Sequence, residues 1–246
     1  NVGKDKSKDQ SYFLCQLNQF QLSKTIFPIG NISKKEVRKI AKENHLITAD
    51  KKDSQGLCFI GKVKLPDFLQ QSLKAKNGDV VLIDKSFYVN ENKILENDID
   101  ISSQQIKYNK TDGEIIGNHK GAHFYTIGQR KGLSIGGREK PLYIISTDVI
   151  NNIIYVGEGA DHPGLFRSSL RVYLKKLHFL SHNREILNLN NIKARIRYRQ
   201  ALQDVSVIKN SEFYFFNFKR PQKAISSGQF IALYENEELI CSGVID

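Results

Sequence analysis

The sequence predicts the tail of an α/β domain followed by one or two small β-barrels or sandwiches. Three observations predict this. Helical apolar spacing and capping residues are concentrated in the first third of the 246 residues. From about Gly78 the apolar residues instead fall in short β-type runs. Clusters of Gly, Asn and Asp separate the runs, among them Asn77-Gly78, Asp112-Gly113 and Asn151-Asn152.

In chain order, residues 7–22 (SKDQSYFLCQLNQFQL) place Tyr12, Phe13, Gln16 and Leu17 at helical spacing, with Ser7 or Asp9 as N-cap. Phe27-Pro28-Ile29-Gly30 is a break. Ser33-Lys34-Lys35-Glu36 has the S-x-x-E form of a capping box, and Val37, Ile40 and Ala41 continue it at i, i+3, i+4, so a helix is predicted over about 34–45. Leu57–Ile60 reads as a short strand or turn, and Asp67–Leu73 as a short helix after Pro66. The β-type runs are Val80–Ile83, Phe87–Val89, Tyr143–Ile145, Ile153–Val156, Leu170–Leu174, Val205–Val207, Phe213–Phe218 and Phe230–Tyr234. No internal repeat or low-complexity tract interrupts them.

Composition narrows the function classes. A hydrophobic share of 40% with 26% charged residues describes a soluble globule, which excludes a disordered chain. No apolar stretch approaches the ~20 residues of a membrane helix. Lys and Arg number 37 against 26 Asp and Glu, a net charge of +11 that fits a polyanionic partner, nucleic acid first and anionic membrane second; the alternative is a basic surface kept for solubility. No methionine occurs, so the sequence is expected to be a processed product or a piece of a longer one. The three cysteines, Cys15, Cys58 and Cys241, form no C-x-x-C motif, and their odd count argues for a reducing compartment.

Three stretches have the residue types for chemistry or binding. Lys193-Ala194-Arg195-Ile196-Arg197-Tyr198-Arg199, as a strand, would place four cations on one face, for which a polyanion is the natural compensation. The competing reading is a solvated face balanced by carboxylates such as Asp204 or Glu212. Residues 117–137 (GNHKGAHFYTIGQRKGLSIGG) set six glycines among Lys120, Arg130 and Lys131, a pattern that lets a backbone approach phosphate closely without forming a P-loop. His119 and His123, like His178 and His182, stand four apart, which suits a metal only on a helix, so no metal site is expected. Cys58 follows a polar turn with Gly56, Lys51 and Lys52 nearby, and cations beside a thiol raise its thiolate fraction, as a nucleophile or sulfur carrier requires; a buried inert thiol is the competing reading. Cys15 and Cys241 read as packing residues.

Five motifs occur in order: Lys8-Asp9-Gln10-Ser11-Tyr12-Phe13-Leu14, Phe27-Pro28-Ile29-Gly30, the run from Lys52 to Gly61 (KDSQGLCFIG), the run from Tyr125 to Leu133 (YTIGQRKGL), and Arg197-Tyr198-Arg199-Gln200. With them the sequence, from about residue 3 onward, resembles the tRNA-specific 2-thiouridylase family. The resemblance implies the remnant of a nucleotide-binding α/β domain of the PP-loop, adenine nucleotide alpha hydrolase-like class over 1–63, a small central mainly-β domain over 64–135, and a C-terminal tRNA-binding β-barrel over 136–246. It implies ATP-dependent 2-thiolation of the wobble uridine of tRNA: ATP, with Mg²⁺, activates O2 of the uridine, and a persulfide on Cys58 delivers sulfur to C2. A first cysteine then releases the product and is left in a disulfide with Cys58. The family's S-G-G-x-D-S loop and first cysteine match nothing in these residues and are expected in a segment that precedes them. Lys8, Asp9, Gln10, Arg197, Tyr198, Arg199 and Gln229 map to tRNA-contacting positions. The implied partners are tRNA and a sulfur-donor protein, with no membrane, in the cytoplasm or, in a eukaryote, the mitochondrial matrix. A stand-alone tRNA-binding module without catalysis and a barrel with a merely basic surface are the competing readings.

Overall fold

The computed structural model describes residues 1–51, 73–89, 98–133, 135–180, 186–189 and 191–246. Cys58, the run Leu57–Ile60 and nearly all of the helix expected over Asp67–Leu73 lie outside the described residues. The chain divides into two compact units: Gln55–Arg171 with Pro221–Ser227, and Asn1–Ser54 with Val172–Arg220 and Gly228–Asp246.

The first of these units is built on a four-stranded sheet. Its strands are β1 (Gly78–Leu82), β2 (Glu114–His119), β3 (Leu142–Asp148) and β4 (Ile153–Glu158), in the order β2-β1-β4-β3. β1 pairs antiparallel with β2 and parallel with β4, while β3 and β4 form an antiparallel pair. Both faces are covered. Val81, Ile145 and Tyr155 pack with Tyr88 and Tyr108 in one cluster, and Val80, Ile144, Ile154 and Val156 pack with Ala122 and Leu133 in another. Successive residues point to opposite faces, so a strand buried on both sides must be apolar throughout, which is how Val80–Ile83 and Ile153–Val156 read. Asn152, at φ 57, turns the chain from β3 to β4, and its amide donates to the carbonyls of Lys76 and Asn77. The expected domain break at 135/136 falls inside this sheet, since β1 pairs with β4 across it.

Phe87–Val89, expected as a strand, is helical. The Asp84 carboxylate accepts from Ser86 N–H at 2.8 Å and its carbonyl from Phe87 N–H at 3.2 Å, so local capping wins over the β propensity of three bulky residues.

The other unit carries most of a seven-stranded sheet: β5 (Phe166–Tyr173), β6 (Leu177–Phe179), β7 (Ile192–Arg195), β8 (Gln203–Lys209), β9 (Phe213–Lys223), β10 (Phe230–Glu235) and β11 (Glu238–Val244). Their order is β5-β9-β8-β7-β10-β11-β6. β10 and β11 join through Asn236 and Glu237, both at positive φ, as a two-residue hairpin turn requires. On this sheet lies the N-terminal segment: Cys15 is buried with Ala232, Tyr234 and Leu239, and Val2, Tyr12 and Leu22 pack beside them. The single helix expected over 7–22 is instead a 3₁₀ turn at Ser11–Leu14 and a helix α1 (Gln19–Ser23). Asp9 accepts the Ser11 N–H at the head of the 3₁₀ turn, which ends at Leu14, and Asn18 starts α1 through a capping box with Gln21. The second helix, α2 (Lys34–Glu43), starts as expected, with Ser33 and Glu36 exchanging side-chain bonds to each other's N–H.

Candidate nucleic-acid interface

The expected four-cation strand face does not form. β7 ends at Arg195, and residues 196–199 turn, with Arg199 at φ 62. Lys193 pairs with Asp204 across the sheet at 3.8 Å, as the solvated-face reading anticipated for that residue. Arg195 is buried. Its Nη1 donates to Asp9 Oδ2 at 2.8 Å, with side-chain exposures of only 6% and 3%. The guanidinium also lies 4.8 Å from the centre of the Tyr234 ring, and its Nε has no partner among the described residues.

Asp9 organises the segment that precedes the 3₁₀ turn. Oδ1 accepts from the N–H groups of Gly3 and Ser11, both at 3.1 Å, and Oδ2 from the Ser11 hydroxyl at 2.9 Å as well as from Arg195. Burial alone would raise its carboxyl, but the Gly3 and Ser11 donors and the Arg195 charge outweigh burial and hold it below the ordinary carboxylate value. Ser11 Oγ in turn lies 3.0 Å from the Tyr234 hydroxyl, whose pKa burial pushes up to about 12. These four donors occupy both oxygens of the Asp9 carboxylate within the fold.

The neighbours of Asp9 face outward. Gln10 is exposed, and its Nε2 donates to the Tyr198 hydroxyl at 3.0 Å. The Tyr198 ring lies 4.6 Å from that of Phe13, itself exposed, and the Arg199 guanidinium sits 4.9 Å from the Tyr198 centroid. Arg199 is exposed and makes no ion pair among the described residues. The Arg197 guanidinium is partly buried, which lowers its pKa, while the Tyr12 side chain acts in the opposite sense. Tyr12 ties the pieces together, because its hydroxyl lies 3.0 Å from the carbonyls of both Ile196 and Phe230. Phe230 follows Gln229, which is half-exposed and whose carbonyl accepts from Ile245 N–H at 2.8 Å. Lys8 is on the rim of a cavity of about 600 Å³ beside this surface, with Leu22, Phe27 and Val37 among its apolar walls.

The sequence-expected positions Lys8, Gln10, Arg197, Tyr198, Arg199 and Gln229 thus belong to one compact unit, with Gln10, Tyr198 and Arg199 in direct contact. Sequence reasoning missed Tyr12, Ser11 and Tyr234 as organisers. The one available signal was Asp9-x-Ser11, the spacing at which an Asp side chain accepts from the N–H two residues on. His178 Nε2 lies 2.9 Å from the Leu17 carbonyl, and no group of three or more metal-ligating side chains occurs among the described residues. Burial raises the thiol pKa of both Cys15 and Cys241, keeping them protonated and inert.

Three family models match successive stretches: a tRNA methyl transferase HUP domain over residues 1–62, a tRNA methyl transferase PRC-barrel domain over 66–158, and an aminomethyltransferase beta-barrel domain over 169–245. A tRNA-specific 2-thiouridylase of Christiangramia forsetii is 51% identical over 99% of this chain, and one of Flavobacterium johnsoniae is 50% identical over the same share. The chain belongs to the tRNA-specific 2-thiouridylase family. It spans 63% and 64% of the length of those two relatives, and 59% of a Chlamydia abortus thiouridylase to which it is 38% identical. In this chain the fold is accordingly a HUP-like portion, a PRC-barrel middle domain and a C-terminal β-barrel. The four-stranded sheet falls wholly within the PRC-barrel match, and Gln10 and Tyr198 come from the HUP and C-terminal barrel matches respectively. No helix among the described residues is long and apolar enough to cross a membrane.

Proposed function

We propose that this chain grips tRNA and carries the transferred sulfur in an enzyme that thiolates the wobble uridine of tRNA at position 2. The observation that carries the reading is the joined surface of Gln10, Tyr198 and Arg199, in a chain half-identical along its length to proteins named for tRNA 2-thiolation. Arg197 and Arg199 meet phosphates, the Tyr198 ring offers a face to a base, and Lys8, Gln10 and Gln229 extend the contact. Asp9 acts through Gln10, fixing the backbone of the segment that presents it. Polar and aromatic groups held in place before binding reduce the ordering cost of gripping RNA.

Cys58 carries sulfur as a persulfide. Its outer sulfur forms the new bond to C2 of the uridine as the activated O2 leaves. A second cysteine thiolate then attacks Cys58 Sγ, breaking the S–S bond and leaving a disulfide that a reductant must reopen. Cys15 and Cys241, buried and protonated, are unsuited to the second role. ATP supplies activation of the uridine oxygen, with Mg²⁺ as its counter-ion, but no S-G-G-x-D-S loop occurs in this sequence. No residue of this chain is assigned to either. A sulfur-donor protein loads Cys58, and the reaction belongs in the cytoplasm or an organellar matrix.

The test is Cys58→Ser in the full-length enzyme, in cells with no other copy. 2-Thiouridine is expected to vanish from tRNA digests while tRNA binding by the purified variant is retained. Unchanged 2-thiouridine would refute the assignment of Cys58, and wild-type protein that does not bind tRNA would refute the tRNA reading itself.

A further inference from the structure

The Gly-rich stretch of the PRC-barrel unit, residues 117–140, carries five cations (Lys120, Arg130, Lys131, Arg138 and Lys140) against the single carboxylate of Glu139. None of them belongs to the Gln10–Tyr198 surface. Within the stretch, the loop from Tyr125 to Gly132 is braced from several directions. Gln129 is its keystone: its N–H donates to the Thr126 carbonyl at 3.0 Å, its Oε1 accepts from Thr126 N–H at 3.2 Å, and its Nε2 donates to the Lys131 carbonyl at 2.8 Å. The Tyr125 hydroxyl reaches the Gly132 carbonyl at 3.4 Å. Two backbone bonds anchor the loop to β3, from Gly128 N–H to the Ile144 carbonyl at 2.7 Å and from Ile144 N–H to the Gln129 carbonyl at 3.0 Å. Gly128 has φ +84, and a Cβ there would stand 2.7 Å from that of Ala224, so both the backbone conformation and the close packing require glycine.

Four side-chain and local backbone bonds thus hold an eight-residue loop whose exposed side chains include Arg130 and Lys131. Neither makes an ion pair among the described residues, whereas Arg138 is engaged by Glu114 at 3.4 Å. Beyond the loop, a Cβ added at Gly136 or Gly137 would meet nothing within 4 Å. A rigid loop that spends its own polar groups internally and leaves two adjacent cations unpaired is preorganised for a polyanion.

We propose that the loop Tyr125–Gly132 is a further RNA-contacting surface of this protein, with Arg130 and Lys131 meeting phosphate groups of the RNA. The proposal rests on the tRNA reading above. It is tested by measuring tRNA binding to the full-length enzyme across a salt series, for wild type, Arg130→Ala/Lys131→Ala and Arg130→Lys/Lys131→Arg. Each phosphate contact contributes about 0.7–0.9 to the slope of log affinity on log salt, so the alanine pair is expected to flatten the slope by about 1.4–1.8 with an unchanged melting temperature. The charge-preserving exchange is expected to keep the wild-type slope. An alanine pair with the wild-type slope overturns the loop proposal and leaves the tRNA reading standing, and so does an exchange variant as flat as the alanine pair. A wild-type protein whose tRNA affinity does not fall with salt overturns both.

Discussion

Substituting Asp9 by Ala removes one acceptor group from four donors at once: the N–H groups of Gly3 and Ser11, the Ser11 hydroxyl and the Arg195 guanidinium. The last matters most, because a cation with 6% side-chain exposure is left without its counter-charge. Breaking a buried pair from one side costs about 3–5 kcal/mol, so Asp9→Ala is expected to lower the melting temperature of its unit by roughly 10 °C or more. Removing both charges in Asp9→Ala/Arg195→Met is expected to recover most of that loss, since the desolvation cost of Arg195 disappears with it. Binding should not recover. In the double variant the segment before the 3₁₀ turn has lost its brace, and Gln10 no longer holds Tyr198 in place, so tRNA affinity should stay several-fold below wild type. The assay is thermal unfolding of the full-length enzyme in parallel with tRNA binding at fixed salt. A loss of less than about 1 kcal/mol in Asp9→Ala would mean that solvent reaches the pair, and the positioning role would fall. A double variant no more stable than the single would refute the pair as the source of the cost. The acid limb gives a further check. The Asp9 carboxyl is held below its unfolded value of about 3.9, so its contribution is complete above that pH and is lost as pH falls through the folded value.

Arg197→Ala and Arg199→Ala are each expected to flatten the salt dependence of tRNA binding by about one, and unchanged slopes would return the turn to a merely solvated role. In the PRC-barrel unit, burial lowers the pKa of His162 and of His119. His162 Nε2 sits 3.1 Å from the Ile83 carbonyl, leaving Nδ1 buried without a partner among the described residues, and His119 Nδ1 accepts from Gly121 N–H at 2.9 Å. Protonating either ring costs free energy in the fold but not in the unfolded chain, so their contribution is complete above about pH 6.5 and declines as pH falls below it. The slope is at most about 1.4 kcal/mol per pH unit for each histidine, and His162→Gln should flatten it in urea unfolding between neutral and mildly acidic pH.

Local rules were readable wherever they had no rival. Ser33 and Glu36 cap α2 as their spacing requires, and the runs of β1, β3 and β4 appear where unbroken apolar residues demand burial on two faces. Local rules failed where a distant group competed for the same atom. Asp9 does accept the Ser11 N–H, but Arg195, 186 residues away, and the Gly3 N–H share the same carboxylate, and only a 3₁₀ turn follows. Phe87–Val89 carries β-type side chains, yet Asp84 captures the Ser86 N–H and starts a helix that buries Tyr88 against Tyr108. β11 and the turn before it were half hidden because Asn236-Glu237 lacks the glycine that usually marks a tight hairpin.

The cationic run shows most directly what a charge count conveys. Lys193, Arg195, Arg197 and Arg199 are equivalent in the sequence, spaced evenly and counted alike in a net charge of +11. In the fold they have four different environments. Lys193 meets a carboxylate on the neighbouring strand, Arg195 is buried against Asp9, Arg197 is partly buried near Tyr12, and Arg199 lies exposed over an aromatic ring. Only a cation that keeps its charge near solvent can exchange counter-ions for phosphate, so the salt dependence of binding should report Arg197 and Arg199 and be blind to Arg195. Arg195 nonetheless decides whether the other two are presented correctly, because β7 leads from it directly into their turn and its partner Asp9 precedes Gln10. The residue with the least access to RNA therefore exerts its effect through affinity at constant slope, and that separation of affinity from slope distinguishes a buried organiser from a surface contact.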